Sequence, residues 1–229
     1  MLGLGHPPES FREPGAGTRR AVRSFMSPRV AAVRWYDDLM WPPHHHRHTY
    51  EDYVRFEGES QTRHEYINGD IVAMAGGSPD HAGVTANVIA ALSLQLRGRP
   101  CRVFSPDLKI RIAIANVATY PDVSVVCGHP ELDPEDANGH TILNPVLIVE
   151  VLSPSTAAYD LGEKFGFYKL IPSLREYVVI DHAEPRMAVW RRGPHEVWSA
   201  DEITSGEARL VSIDCTLALA EIYRDPFRM

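Results

Sequence analysis

No window of the sequence approaches the roughly 18 uninterrupted apolar residues that a membrane-spanning helix needs, so nothing in it reads as a membrane span. Cysteine is scarce. The three (Cys101, Cys127, Cys215) stand in unrelated contexts without CxxC spacing, so a disulfide framework is not expected and a reducing cytoplasm is. Basic residues are outnumbered, 23 Lys and Arg against 30 Asp and Glu, for a formal net charge of −7. A protein that neutralises many phosphates usually carries a basic surplus. The balance therefore argues against a dedicated nucleic-acid binder while leaving room for an enzyme with a local basic groove. The Gly-rich stretch "GDIVAMAGGS" lacks the GK[ST] ending of a phosphate loop. Internal repeats are missing too.

What is present is enough for one substantial domain: 229 residues, 44% of them hydrophobic and 23% charged. Residues 1 to about 25 are rich in Gly, Pro and Arg without apolar periodicity, and the segment to residue 48 reads as a disordered or linker extension. It lacks the apolar core of a secretory signal, and Met26 is an alternative start. The tract His44 to His48 holds four histidines in five positions. They could chelate a transition metal, but no Cys or acidic partner follows at ligand spacing, and a solvated linker is the plainer reading.

The organised domain is expected over residues 49–229. "TYEDYVRF" predicts a helix with Thr49 as N-cap and Asp52 completing a capping box. Asn68-Gly69 predicts a hairpin turn between Tyr66-Ile67 and Ile71-Val72. Ser78 and Pro79 open a helix whose Val84, Val88, Leu92 and Leu96 form one stripe, and Gly98 stops it. "CRVFSPDLKIRI" and "YPDVSVVC" each read as a strand, and "DLGEKFGFYKL" as a helix capped by Asp160 with Glu163 three residues on. "EYVVID" and "MAVWRR" are further strands, and "TLALAEIYRD" a short closing helix. The interleaving predicts an α/β fold, a mixed sheet with helices on both faces.

One stretch resists a purely structural reading. "PVLIVEVLSPST" is an apolar strand with Glu150 at its centre, on the same face as Val146, Ile148 and Leu152. A carboxylate among apolar neighbours is costly unless its charge is compensated. Asp122 opens another strand after Pro121, and Glu65 stands at the base of the hairpin. Should these strands be neighbours, three carboxylates converge, and a cation between them would relieve their repulsion. Hard oxygen ligands suit Mg²⁺ or Mn²⁺. A buried ion pair with some Lys or Arg is the plainer account of Glu150.

Pro121-Asp122, followed after 28 residues by Glu150 in a hydrophobic strand, resembles the PD-(D/E)XK nuclease superfamily. The ordered series "EYINGDIVAM", "SPDHAGVTANV", "YPDVSVV", "PVLIVEVLSPST", "DLGEKFGFYKL" and "LREYVVID" is similar to one branch, the Uma-two family of restriction-endonuclease-like proteins. The resemblance spans about Thr49 to Arg192. It implies a restriction-endonuclease-like core and metal-dependent hydrolysis of DNA phosphodiesters, with a homodimer as a possible assembly. It also implies a site in which Asp122, Glu150 and the Val151 carbonyl hold Mg²⁺ or Mn²⁺, with Glu65 completing or steadying it. The lysine expected two residues after the glutamate is Leu152 here, so the resemblance assigns that role to Lys164 on the following helix. As a helix lysine, Lys164 is expected to matter for activity and little for stability. His81, on the inward stripe near a helix start, is an accessory candidate for contact with phosphate or carboxylates, or a packed core histidine. Asp107 reads as a turn residue, and Ser153 as part of a turn, not a nucleophile. The rival to the enzyme is a non-catalytic module that keeps the fold for nucleic-acid binding or dimerisation.

Overall fold

A computed structural model describes residues 47–74, 76–153 and 157–225. The readings of residues 1 to 25, of His44 to His46, and of the turn at Pro154 to Thr156 lie outside the described residues.

Helix α1 (Tyr50–Glu59) starts at the capping box anticipated for Thr49 and Asp52. Strands β1 (His64–Ile67) and β2 (Asp70–Ala73) form the hairpin, with Asn68 and Gly69 at positive φ as the tight turn demands. Helix α2 (Pro79–Gln95) opens on the Ser78 cap with Pro79 in its first turn. Its stripe of Val84, Val88, Leu92 and Leu96 is buried, each side chain worth about 1.5–3 kcal/mol of transfer energy.

The segment expected as one strand is two. β3 (Cys101–Phe104) and β4 (Lys109–Ile112) belong to different sheets. Between them Asp107 accepts hydrogen bonds from Ser105 and Arg63, which closes a turn that breaks the run. β5 (Val117–Thr119) is followed by Tyr120, Pro121 and Asp122, and then by β6 (Val123–Cys127), β7 (Thr141–Ile142) and β8 (Leu147–Leu152). A short turn α3 (Ala157–Tyr159) runs through a π-helical turn at Asp160–Lys164 into α4 (Phe165–Tyr168). The chain ends in β9 (Glu176–Asp181), β10 (Met187–Arg192), β11 (Trp198–Ile203), β12 (Glu207–Leu210), β13 (Cys215–Ala218) and α5 (Leu219–Ile222).

The central sheet is mixed and six-stranded, in the order β11-β10-β9-β8-β6-β3; β8 and β9 pair in parallel and β6 and β8 antiparallel. The alternation along β8 sorts its residues between two cores. Leu147, Val149 and Val151 pack beneath α2, α5 and the β12-β13 hairpin, while Ile148 and Leu152 join Phe165, Tyr168 and Tyr177 on the opposite face. That second face is shared between α4 and a five-stranded sheet in the order β2-β1-β5-β4-β7. This α/β core therefore carries a second sheet where the sequence alone suggested only helices.

Cys101 and Cys127, read from sequence as unrelated, are a cross-strand pair on β3 and β6 joined by a disulfide. Their separation of 26 residues is bridged by the antiparallel register, which no local spacing reveals. Cys215 is free and buried.

Candidate active site

The link Tyr120-Pro121-Asp122 carries the chain from the five-stranded sheet into the central one, and the site forms at that crossing. Its two available amides face the two sheets. Tyr120 N–H donates to Glu65 Oε1 on β1 (3.4 Å), and Asp122 N–H donates to Glu150 Oε2 on β8 (3.3 Å). Pro121, between them, has no N–H to satisfy. β8 returns the contact: Val151 N–H donates to Asp122 Oδ2 at 2.7 Å. The Asp122 amide thus holds the Glu150 carboxylate and the Val151 amide holds that of Asp122, continuing the register that pairs Val123 with Val149.

Lys164 reaches the same point from the π-helical turn. Its Nζ lies 3.0 Å from Glu150 Oε1, 3.2 Å from Glu65 Oε1 and 3.7 Å from Asp160 Oδ1. Glu65, Glu150, Asp160 and Lys164 are 7%, 3%, 4% and 5% exposed, so the cluster is buried as a unit. Leu152 occupies the strand position where the superfamily pattern has its lysine and is packed in the core. The widened turn sets Asp160 and Lys164 on one side of the helix, a local departure that recurs at functional sites.

Asp160 corrects the sequence reading. It is no N-cap; the turn begins upstream, and no side-chain cap forms there. The signal that could have found it was the four-residue spacing to Lys164, which puts an acid and a base on one helical face.

Tyr168 completes the support. Its hydroxyl donates to Glu150 Oε1 (2.8 Å) and contacts Thr119 Oγ1 (2.8 Å), tying α4 to both sheets. Burial pushes the Tyr168 phenol well above its ordinary value, with the Glu150 charge acting in the same direction, so it stays a donor. Burial also drives the Glu150 carboxyl well above the usual range; Lys164 opposes this, while Asp160 and Asp122 reinforce it. Burial alone would lower Lys164, but Glu150, Glu65 and Asp160 outweigh it and keep the ammonium charged.

His81, in the first turn of α2, stands on the open side. Its Nε2 lies 3.3 Å from Asp122 Oδ2, and it also hydrogen-bonds the Val151 backbone. The bond to Asp122 raises the imidazole above its ordinary value against the effect of burial. Gly77 makes room for it, since a Cβ there would lie 2.7 Å from His81 Nδ1. Asp122, Glu150, Val151, Asp160, Lys164 and His81 all border one cavity of about 310 Å³.

Four carboxylates (Glu65, Asp122, Glu150, Asp160) meet one ammonium and one imidazole, so two negative charges remain in excess even with His81 protonated. Burial is the larger cause of the raised Glu150 carboxyl and the neighbouring carboxylates add to it; a divalent cation would balance their charge. Among the described residues no three His, Cys, Asp or Glu side chains are grouped as a ready-made ligand shell. Two carboxylates with backbone and solvent oxygens suit Mg²⁺, which keeps several waters, better than a metal that demands a full protein cage.

Comparison with known proteins agrees with this architecture. A solved structure from Anabaena variabilis, described as "a putative nuclease belonging to DUF820", superposes with a TM-score of 0.61 at 18% identity, covering 76% of this chain and 97% of that one. At that identity the likeness shows the fold. Two curated proteins of Synechocystis sp. are similar in sequence, both named as uncharacterized. One is 35% identical over 176 residues (76% of this chain, 90% of that protein) and the other 33% over 162 residues (71% and 90%). Residues 50–220 match the Uma2 family model, described as "Putative restriction endonuclease", and the chain belongs to that family.

Proposed function

We propose that the protein is a divalent-metal-dependent endonuclease that hydrolyses phosphodiester bonds of DNA. The observation that carries this reading is the reciprocal clasp of Asp122 and Glu150 at the floor of an open cleft, with the Lys164 ammonium 3.0 Å from Glu150.

Asp122, Glu150 and the backbone at Val151 would hold Mg²⁺ or Mn²⁺. Bound there, such an ion supplies Lewis-acid polarisation of a phosphoryl oxygen and activation of water. The chain's own groups do the rest. The Val151 amide fixes the orientation of Asp122, and Tyr168 and the Asp122 amide fix that of Glu150, so neither carboxylate must reorganise during the reaction. Lys164 offsets charge that develops on the phosphoryl group. Glu65 shares the ammonium with Glu150. His81 borders the opening, where it can meet a phosphate oxygen.

The proposed setting is the cytoplasm, where DNA is within reach. No helix among the described residues is long and apolar enough to cross a membrane.

A second reading has an observation of its own. Lys164 already pairs with three carboxylates, so the cluster could serve as a buried structural network in a non-catalytic binding or dimerisation module. Incubation of supercoiled and oligonucleotide DNA with Mg²⁺, Mn²⁺ or chelator separates the two. The nuclease reading expects metal-dependent strand scission that Asp122→Asn abolishes. Absence of scission on DNA and RNA with either ion would favour the module.

A further inference from the structure

β9 ends at Asp181, paired with Leu152 at the end of β8, and the next residue is His182. Its ring turns back onto β8, with Nδ1 2.7 Å from the Leu152 carbonyl oxygen. A carbonyl can only accept, so Nδ1 carries the proton, and in a neutral ring the lone pair then belongs to Nε2. Nε2 has no hydrogen-bond partner among the described residues. His182 also borders the carboxylate cavity, together with Asp122, Glu150, Asp160 and Lys164. The backbone of Leu152, the residue in the superfamily's lysine position, thus holds an imidazole in one tautomer at the edge of the site.

Hydrolysis needs a group that takes a proton from water, and the other side chains around this cavity are engaged. Lys164 faces three carboxylate oxygens at 3.0, 3.2 and 3.7 Å, one for each N–H of its ammonium, and has no lone pair to offer. Asp122 accepts from the Val151 amide, Glu150 accepts from Tyr168 and the Asp122 amide, and both are assigned to the cation. His81 is turned to Asp122 and the Val151 backbone, and the Tyr120 hydroxyl donates to Glu57. Nε2 of His182 is left as the ring nitrogen at this cavity without a partner among the described residues.

We propose that His182 is the general base of the hydrolysis, its Nε2 accepting a proton from the attacking water. The O–H bond of the water breaks and its proton passes to Nε2, while the water oxygen forms the new bond to phosphorus. The bond from phosphorus to the leaving sugar oxygen breaks, and that oxygen takes a proton from solvent; the imidazolium then returns its own proton to solvent. The Leu152 carbonyl favours the step twice, since it fixes the tautomer that leaves Nε2 open and then stabilises the imidazolium through the same Nδ1–H bond. Lys164 is thereby left to its electrostatic role. The inference rests on the nuclease reading for the phosphodiester.

The test pairs two variants with one measurement that needs no turnover. His182→Asn keeps an N–H for the Leu152 carbonyl and lacks Nε2. Its cleavage of supercoiled plasmid DNA with Mg²⁺ should fall about 10²–10⁴-fold, the usual worth of a general base, at an unchanged folding midpoint and an unchanged DNA affinity in chelator. His182→Ala should be equally slow, and imidazole added to the buffer should restore part of its rate without accelerating wild type. Nitrogen-15 NMR of the wild-type histidine rings in mild alkali, with the His182 signals identified by their loss in His182→Asn, should show the proton on Nδ1. Cleavage by His182→Asn at the wild-type rate would overturn the base and leave the nuclease standing. Failure of imidazole to restore His182→Ala, or a His182 proton found on Nε2, would also overturn it and reduce the ring to a tie between β8 and β9. Absence of scission by wild type on every DNA would remove the nuclease reading and the base with it.

Discussion

The ammonium of Lys164 lies 3.0 Å from the carboxylate of Glu150, delivered by a helical turn that follows the strand instead of by the strand itself. A cation is thus placed among the acids although Leu152 fills the position where the superfamily pattern has lysine. Burial changes what its removal should do. Lys164→Met leaves Glu65, Glu150 and Asp160 without their shared partner, and breaking a buried pair typically costs about 3–5 kcal/mol. This corrects the expectation, drawn from its place on a helix, that the substitution would be silent in stability.

The pH dependence of that variant has a definite sign. Glu150 in the folded protein sits well above its ordinary value of 4.5, and loss of Lys164 removes the influence that opposes the rise. A carboxyl whose folded value exceeds its unfolded one contributes stability that is full below about 4.5 and lost as pH rises. The thermal midpoint of Lys164→Met should therefore approach that of wild type in acid and fall behind it toward neutrality. A gap that did not vary with pH would contradict the account. Where the variant folds, DNA cleavage should drop about 10²–10³-fold, the cost of removing one electrostatic stabiliser.

His81 occupies the Asp122 oxygen and the Val151 backbone that the proposed cation would use. His81→Ala should therefore leave metal affinity unchanged or raise it severalfold. A fall of tenfold would make His81 a ligand. Gly77→Ala supplies an independent check: its methyl would lie 2.7 Å from His81 Nδ1, so the ring must leave Asp122 and the variant should behave like His81→Ala.

Much of this arrangement is written locally. The Thr49 and Ser78 caps, the Asn68-Gly69 turn and the alternation along β8 are each decided within a few residues, and each was legible. The Pro121-Asp122 and Glu150 positions were legible as a pattern, although their roles remain proposals. What escaped depends on contacts distant in sequence. The turn at Ser105 to Leu108 is held by Arg63, which binds Asp107 from just before β1, and the partners of Asp160 emerge only once the π-helical turn faces β1 and β8. Glu65 was legible as a candidate for the site from its place at the base of the hairpin, but its contact with the Tyr120 amide follows only from the crossing between the sheets.

The Cys101–Cys127 pair closes a loop of 26 residues, for which the chain-entropy argument gives about 3.5 kcal/mol. A reductant should lower the thermal midpoint of oxidised protein, and Cys101→Ser should have the lower midpoint with or without reductant. An oxidised wild type that shows two free thiols at these positions after unfolding would refute the pairing.

The central claim is a cation site between Asp122 and Glu150, and calorimetric titration with Mg²⁺ or Mn²⁺ addresses it directly. Asp122→Asn keeps an oxygen for the Val151 amide and for His81 while removing the charge, so the fold should hold. Wild type should bind a divalent ion with measurable heat, and Asp122→Asn should weaken that binding at least tenfold at an unchanged folding midpoint. No binding by wild type, or equal binding by both proteins, would contradict the account.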